Sequence, residues 1–121
     1  MGRTVCYDSK GNEIYDEIKN EVRVRGFEVC KGYEAQLPQR NDVGSAGYDF
    51  HIISNVDTFI HPQETVKFNT GIRAYMQEDE VLSMHIRSSL GIKKNLVLSN
   101  GTGIIDSSYY DNPDNGGEIW F

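Results

Sequence analysis

The chain has 121 residues, a net charge of −6 and 38% hydrophobic residues, which indicates one domain with a modest core. This acidic balance argues against nucleic-acid binding, which needs a basic face, but a local cluster could still hold a small anionic ligand. The longest apolar runs, such as NLVLS at residues 95–99, are too short to cross a membrane.

The first twenty residues are polar and mixed, and we expect either a loose arm or a short hairpin around residues 10–12. They contain no apolar segment typical of a secretory signal. Cys6 and Cys30 are too few and too far apart for the disulfide framework of a secreted domain. We therefore expect reduced thiols in a cytoplasmic protein, and the three histidines show no metal-ligand spacing.

From residue 21 the sequence predicts a series of short strands. EVRVRGFEVC alternates apolar and polar residues, which predicts a strand that can bulge at Gly26. Residues 37–47 are rich in turn formers and predict a loop. Short strands are predicted at residues 48–54 and 56–61, and a further one between residues 66 and 74.

The next segment, VLSMHIRSS, alternates again and predicts a strand with Leu82, Met84 and Ile86 on one face. No stretch keeps an apolar period of 3.6 residues for three turns, so no helix is predicted. Many short strands with turns between them are typical of an antiparallel sandwich or barrel.

The C-terminal part begins with two apolar segments split at Asn100–Gly101, followed by a long polar loop, residues 109–118. IWF then begins another strand, at residues 119–121. A strand that stops there would leave an unpaired apolar edge, so we expect that more chain follows in the complete protein.

Three segments contain residues that could take part in binding or catalysis. The first is GSAGYDF, residues 44–50. Two glycines flank two small residues, and Asp49 follows at the start of a predicted strand. Taken alone the segment is typical of a turn, but its carboxylate could also hold the water of a metal ion.

The second segment is HIRSSLG, residues 85–91, in which Arg87 ends a predicted strand and Ser88 and Ser89 follow. A planar guanidinium beside hydroxyl donors suits phosphate oxygens. The alternative is a polar strand end with an N-cap.

The third segment is NGTGIIDSSYY, residues 100–110. The side chain of Asn100 can both donate and accept hydrogen bonds, as recognition of a nucleobase edge requires. Gly103 lets a ligand approach the backbone closely. Asp106 could accept a proton from water, and Tyr109 offers a flat face for stacking. Taken alone, this segment could also be a hairpin.

Together the three segments supply hydrogen-bond donors for phosphate oxygens and a carboxylate that could bind a metal's coordinated water. They also supply a side chain that could recognise a nucleobase and a carboxylate that could act as a general base. Those are the parts needed to hydrolyse a nucleoside triphosphate, and the chain contains no P-loop sequence GxxxxGK[ST]. In order and spacing, SAGYDF, RSSLG and NGTGIIDSSYY resemble the first three motifs of the trimeric deoxyuridine triphosphatase (dUTPase) family, particularly its forms from Gram-positive bacteria and their phages.

The resemblance runs from about residue 22 to residue 121. It implies a mainly β, antiparallel, distorted jelly-roll fold of the β-clip type, with residues 1–20 as an arm and 21–121 as the β domain. It also implies a homotrimer with three active sites at subunit contacts. The reaction would be Mg²⁺-dependent hydrolysis of dUTP to dUMP and pyrophosphate.

The resemblance further implies roles at the phosphate end of the site. Asp49 would anchor Mg²⁺ through coordinated water, since this ion keeps much of its hydration shell. Arg87, Ser88 and Ser89 would hold the phosphates, although many members have Gly where this chain has Ser89.

At the nucleoside end, Asn100 and the backbone near Gly103 would read uracil. Tyr109 would pack on the deoxyribose and exclude a 2′-hydroxyl. Asp106 would orient and deprotonate the water that attacks the α-phosphorus.

Two motifs of the family would lie beyond residue 121, so we expect the 121-residue chain to be inactive alone. Residues 110–117 also make a longer loop than many members have. Three alternatives stay open: a dCTP deaminase of the same fold, a regulatory phage dUTPase that acts by binding a protein partner, and a non-catalytic capsid-like jelly roll.

Overall fold

The computed structural model describes residues 15–16 and 21–121, with side chains from residue 23 onward. The hairpin expected around residues 10–12 and Cys6 lie outside the described residues. Within them, none of the helices is long and apolar enough to cross a membrane. The elements in chain order are β1 (Tyr15–Asp16), β2 (Glu21–Val22), β3 (Gly26–Val29), β4 (Ile72–Tyr75), β5 (Val81–Met84), α1 (Ser88–Lys94), β6 (Gly103–Asp106) and the 3₁₀-helix η1 (Ser107–Tyr109).

The described strands form three antiparallel pairs: β1 with β2, β3 with β4, and β5 with β6. This arrangement confirms the prediction of a mainly β, antiparallel chain. β1 lies in the N-terminal segment for which the sequence predicts an arm or a short hairpin, and it pairs with β2 at the start of the predicted β domain.

The ladder between β3 and β4 shows that the predicted bulge is wrong. Gly26 begins β3 in regular register opposite Tyr75. A Cβ atom at Gly26 would lie 2.8 Å from the ring carbon Cζ of Tyr75, so glycine makes room for this ring. The alternating segment is interrupted instead between β2 and β3, at residues 23–25.

The core lies on β4 and on the C-terminal segment. Ile72 and Ile119 are fully buried, and Ala74 and Met76 are nearly so. Partly buried side chains pack against the cluster of Ala74, Met76 and Ile119: Phe27 of β3, Phe50 of the loop after Asp49, Leu82 and Met84 of β5, Ile105 of β6, and Tyr109 of η1. Three of the four residues of β4 are buried, which explains why this segment, which the sequence predicts as a strand, pairs stably.

The strand predicted at IWF is present only as an isolated antiparallel bridge with two backbone hydrogen bonds beside it. Asn69 and Trp120 form a bridge, and Phe68 and Phe121 exchange two backbone hydrogen bonds. The predicted strand between residues 66 and 74 is thus split into this pairing and β4.

The strands predicted at residues 48–54 and 56–61 are wrong. Asp49 forms an isolated bridge with Gln39, and no residue from 50 to 61 is in a strand. Val56 and Phe59 are 75% and 82% exposed, so their apolar side chains bury little surface that would favour a ladder.

The helix α1 was not predicted, and it replaces part of an expected apolar strand. It spans seven residues and buries none of them, so it has no three-turn apolar stripe. Lys93 and Lys94 in its last turn complement the helix dipole, and Asn95 ends it in the left-handed conformation.

Strands β5 and β6, which are connected through α1, form an antiparallel pair whose register positions the candidate site. Val81 lies opposite Asp106, and Met84 lies opposite Gly103. Leu82, Met84 and Ile86 are half-buried while their neighbours are exposed, which confirms the predicted face.

Candidate active site

The first two candidate segments meet at a cleft of about 720 Å³. Residues 45–50 form one wall and residues 82–87 the other. Arg87 Nε lies 3.8 Å from Asp49 Oδ1, and these side chains are 66% and 36% exposed. A pair this open and this long is weak, so both groups remain available to a ligand.

Local structure explains how these two side chains reach the cleft. The amide of Asp49 donates to the carbonyl of Gln39 at 2.9 Å, which fixes the backbone that carries the Asp49 carboxylate at the end of the loop. Arg87 is the N-cap residue of α1 and keeps an extended backbone. Ser88 and Ser89 are exposed as the first residues of α1, so the predicted polar strand end is the beginning of a helix.

The third segment surrounds a different cleft, of about 450 Å³. The lining residues come from β6, η1 and the loop after them: Ile104, Asp106, Ser108, Tyr109, Asn112, Asp114 and Asn115. Asp106 is exposed and caps η1 by accepting from the amide of Ser108 at 3.1 Å and from its hydroxyl at 2.6 Å. Both bonds reach Oδ1, so Oδ2 remains able to accept from a ligand.

Tyr109 lies half-buried between the core and this second cleft. Its ring packs against the cluster of Ala74, Met76 and Ile119. Its hydroxyl donates to the carbonyl of Glu118 at 2.6 Å. One side of the ring is therefore fixed by the core while the ring still lines the cleft.

Asn100 and Gly103 lie at the other end of β6 from Asp106. Asn100 is exposed in the turn before the strand, where its carbonyl accepts from the amide of Thr102 at 2.8 Å. A Cβ atom at Gly103 would lie 2.9 Å from Met84 Cβ, so glycine is needed for the close approach of the two strands.

The two clefts share no lining residue. Asp106 is paired with Val81, six positions before Arg87 on the extended segment that includes β5. At about 3.3 Å per residue, these six positions span at most roughly 20 Å, which is the upper limit of the separation along the strand. The structure thus joins Asp49 with Arg87 and Asp106 with Tyr109, but it does not join the two sets within one chain.

A charged network lies behind the second cleft. Burial opposes ionisation of Glu28, but hydrogen bonds from Tyr110 and Arg23 and the positive charge of Arg73 outweigh it and lower the pKa of this carboxyl. Burial, together with the hydrogen bond to Glu28, raises the pKa of the Tyr110 hydroxyl. Arg73 also lies 3.2 Å from Asp111, so the network anchors the start of the 111–117 loop.

Sequence reasoning missed Asn112 and Asn115, which both contact Tyr109. Asn112 Nδ2 donates to the carbonyl of Tyr109, and Asn115 Nδ2 donates to its hydroxyl. Asparagine is common in turns, so no sequence signal separates these two from ordinary loop residues.

The residues that the structure describes contain no group of three or more His, Cys, Asp or Glu side chains able to hold a metal ion. A single carboxylate such as Asp49 fits a cation that is bound mainly by water and by ligand phosphates. Cys30 is a buried free thiol.

Comparison with known proteins gives consistent matches. A family model described as dUTPase matches residues 33–112. The chain is 44% identical over 102 residues to the deoxyuridine 5′-triphosphate nucleotidohydrolase of Lactococcus lactis subsp. lactis (strain IL1403), covering 82% of this chain and 67% of that protein. It is 39% identical over 79 residues to the protein of the same name from Pseudomonas putida (strain W619), covering 64% and 52%.

Among solved structures, the crystal structure of dUTPase from Streptococcus mutans is similar, with a TM-score of 0.69 and 43% identity over 78% of this chain and 74% of that one. This likeness confirms the predicted jelly-roll-like β fold. The chain spans between about half and two thirds of the length of the curated relatives above.

Proposed function

The chain belongs to the dUTPase family, and on that premise we propose that the protein hydrolyses dUTP to dUMP and pyrophosphate. The observation that carries the proposal is the meeting of Asp49 and Arg87 in one cleft, with Asp106 and Tyr109 together in another. Each pair has the chemistry of one end of a nucleoside triphosphate.

At the phosphate end, Arg87 binds phosphate oxygens through its planar fork of donors, and Ser88 and Ser89 add hydroxyl and amide donors. The loose 3.8 Å contact with Asp49 supports this role because a phosphate can replace it at little cost. Positioning and charge stabilisation supply most of the catalysis in phosphoryl transfer, so these residues matter without forming covalent bonds.

Asp49 would hold Mg²⁺ through coordinated water, and the ion would neutralise charge on the phosphates. The fit rests on one exposed carboxylate facing the phosphate-binding Arg87. Mg²⁺ usually takes one or two carboxylates plus substrate phosphates rather than an all-protein cage.

At the nucleoside end, Asp106 accepts a proton from the attacking water. The water oxygen bonds to the α-phosphorus, the bond from that phosphorus to the bridging oxygen breaks, and pyrophosphate leaves. The two hydrogen bonds from Ser108 to Oδ1 orient the carboxylate and direct Oδ2 to the water. Asn100 and the backbone near Gly103 read uracil, and Tyr109 packs on the deoxyribose.

Because the two clefts share no lining residue in one chain, the proposed site combines copies of the chain. The cleft with Arg87 from one copy receives the segment with Asp106 from another, in a homotrimer with three sites. Ile104 supports this arrangement because it shares the outer face of β6 with Asp106 and is 62% exposed. Burying such a side chain against a second copy would favour association.

The test is a product assay with the purified complete protein (the parent in the comparisons below), MgCl₂ and either dUTP or dCTP. Pyrophosphate from dUTP is expected, whereas ammonia from dCTP would indicate the deaminase alternative. Asp106→Asn should lower kcat by about 10²–10⁴-fold, since it removes the general base while keeping the side-chain shape. An Asp106→Asn protein with the parent's rate would contradict the assigned mechanism.

A further inference from the structure

The loop of residues 111–117 surrounds Tyr109, and the proposed reaction gives this loop no role. Asn115 Nδ2 donates to the Tyr109 hydroxyl at 2.9 Å, and the same hydroxyl donates to the carbonyl of Glu118 at 2.6 Å. A hydroxyl that both accepts and donates in this way holds the far end of its ring at one position.

Asn115 is itself fixed by its neighbours. Its Oδ1 accepts from Asn112 Nδ2 at 2.8 Å and from the amide of Gly117 at 3.0 Å. Its Nδ2 also lies 3.4 Å from the carbonyl of Glu118. The side-chain amide therefore uses both its donor and its acceptor atoms, which sets its orientation.

Asn112 holds the opposite end of Tyr109. Its Nδ2 donates to the Tyr109 carbonyl at 2.7 Å, while its Oδ1 accepts from the amides of Asp114 and Asn115. The loop thus turns back on itself and contacts Tyr109 at the backbone and at the hydroxyl.

The loop has its own anchors to the rest of the fold. Gly117 has φ +91°, and a Cβ atom there would lie 2.9 Å from the carbonyl oxygen of Tyr109, so a larger residue does not fit. Asp111 pairs with Arg73, which also pairs with Glu28 at 2.7 Å.

From these contacts we propose that Asn115, supported by Asn112, is a positioning residue that fixes the Tyr109 ring and so sets the preference for 2′-deoxyribonucleotides. The inference rests on the proposed function, in which the ring packs on the sugar. A ring held at both ends cannot move away from a 2′-hydroxyl, whereas a ring whose hydroxyl keeps only the bond to the Glu118 carbonyl has more freedom to make room for one.

The experiment compares kcat/KM for dUTP and for UTP in the parent protein, Asn115→Ala and Asn115→Asp. The Asp variant keeps the shape and the acceptor oxygen but loses the donor to Tyr109. In both variants the dUTP-to-UTP ratio should fall by about five- to tenfold, the change expected for loss of one net hydrogen bond. The exposed Asn55, replaced by Ala, is the matched control and should leave the ratio unchanged.

A double-mutant cycle separates positioning from general destabilisation. Tyr109→Phe keeps the ring but removes the hydroxyl, so Asn115→Ala should have little further effect on the ratio in that background. An unchanged ratio in Asn115→Ala, or fully additive effects in the cycle, would overturn the proposal.

A second measurement is independent of hydrolysis. In NMR spectra of protein with ¹³C-labelled tyrosine rings, the Tyr109 ring should be less ordered in Asn115→Ala than in the parent and in Asn55→Ala. Equal order would overturn the clamp. A parent protein that releases no pyrophosphate from dUTP would instead overturn the proposed function, and this measurement would still decide whether Asn115 fixes the ring.

Discussion

Two inactive variants should restore activity to each other when their subunits are mixed. Arg87→Ala damages the phosphate cleft, and Asp106→Asn damages the cleft of the general base. In one chain these lesions lie in separate clefts that share no lining residue. If each site takes one cleft from one copy and the second cleft from another, a mixed assembly can contain a site without either lesion.

The expected magnitude follows from counting. A site is intact only when the copy that supplies the phosphate cleft carries Asp106→Asn and the copy that supplies the base carries Arg87→Ala. In a homotrimer that contains both variants, one of the three sites meets both conditions, so about one third of the sites should be intact after purification through both tags. The mixed assemblies should therefore recover about a third of the parent's kcat, while each variant alone stays near background.

The assay is pyrophosphate release from dUTP after co-expression of the two variants with different affinity tags and purification through both. The matched control combines Arg87→Ala with Asp49→Asn, two lesions in the same cleft, which lie 3.8 Å apart in one chain. That mixture should recover nothing. No recovery by co-assembled Arg87→Ala and Asp106→Asn would refute the composite site, and so would recovery in the control.

Three further predictions concern stability. Ile72→Ala should lower the free energy of unfolding by about 2–5 kcal/mol in denaturant titrations, because Ile72 is fully buried. The pKa of Glu28 is lowered in the folded state, so ionised Glu28 stabilises the fold at pH values above its ordinary pKa of 4.5. This contribution is lost as the pH falls through the folded-state pKa. Glu28→Gln should therefore lower Tm at pH 7 and reduce the fall in Tm below pH 4.5; an unchanged pH profile would contradict this. Gly117→Ala should cost about 1–3 kcal/mol because of its positive φ and close backbone contacts, whereas the open Gly47→Ala should change stability by less than about 0.5 kcal/mol.

The sequence predicts the strands best where alternation coincides with burial. Leu82 and Met84 are half-buried in β5 as their spacing indicates, and Ile119 is buried as expected for a strand. Alternation misleads at residues 48–61, because most of those apolar side chains, such as Val56 and Phe59, remain exposed and no residue from 50 to 61 is in a strand. The seven residues of α1 bury nothing, so no periodic signal could reveal the helix.

The sequence predicts the residues of the candidate site but not their separation into two clefts. Asp49 and Arg87 come together as the order of the segments suggests. Their separation from Asp106 depends on a strand register that pairs residues 81 and 106, and neither residue type indicates that pairing. The contacts of Asn112 with Tyr109 were equally hidden, because an amide in a loop resembles any other turn former.

The segment from Asp106 to Asp111 shows how one short stretch can serve both a cleft and the core. Tyr109 lines the cleft, whereas the next residue, Tyr110, points into the buried network and packs edge-on against Tyr75 at 6.0 Å. Its hydroxyl donates to Glu28, and Arg73 lies over its ring at 4.6 Å. Because adjacent residues face opposite ways, the charged network holds the backbone that carries the Tyr109 ring. Weakening that network should therefore loosen the Tyr109 ring as well as the fold. A substitution in the network should change the sugar preference together with stability, whereas a substitution of Asn115 acts on the preference from the loop.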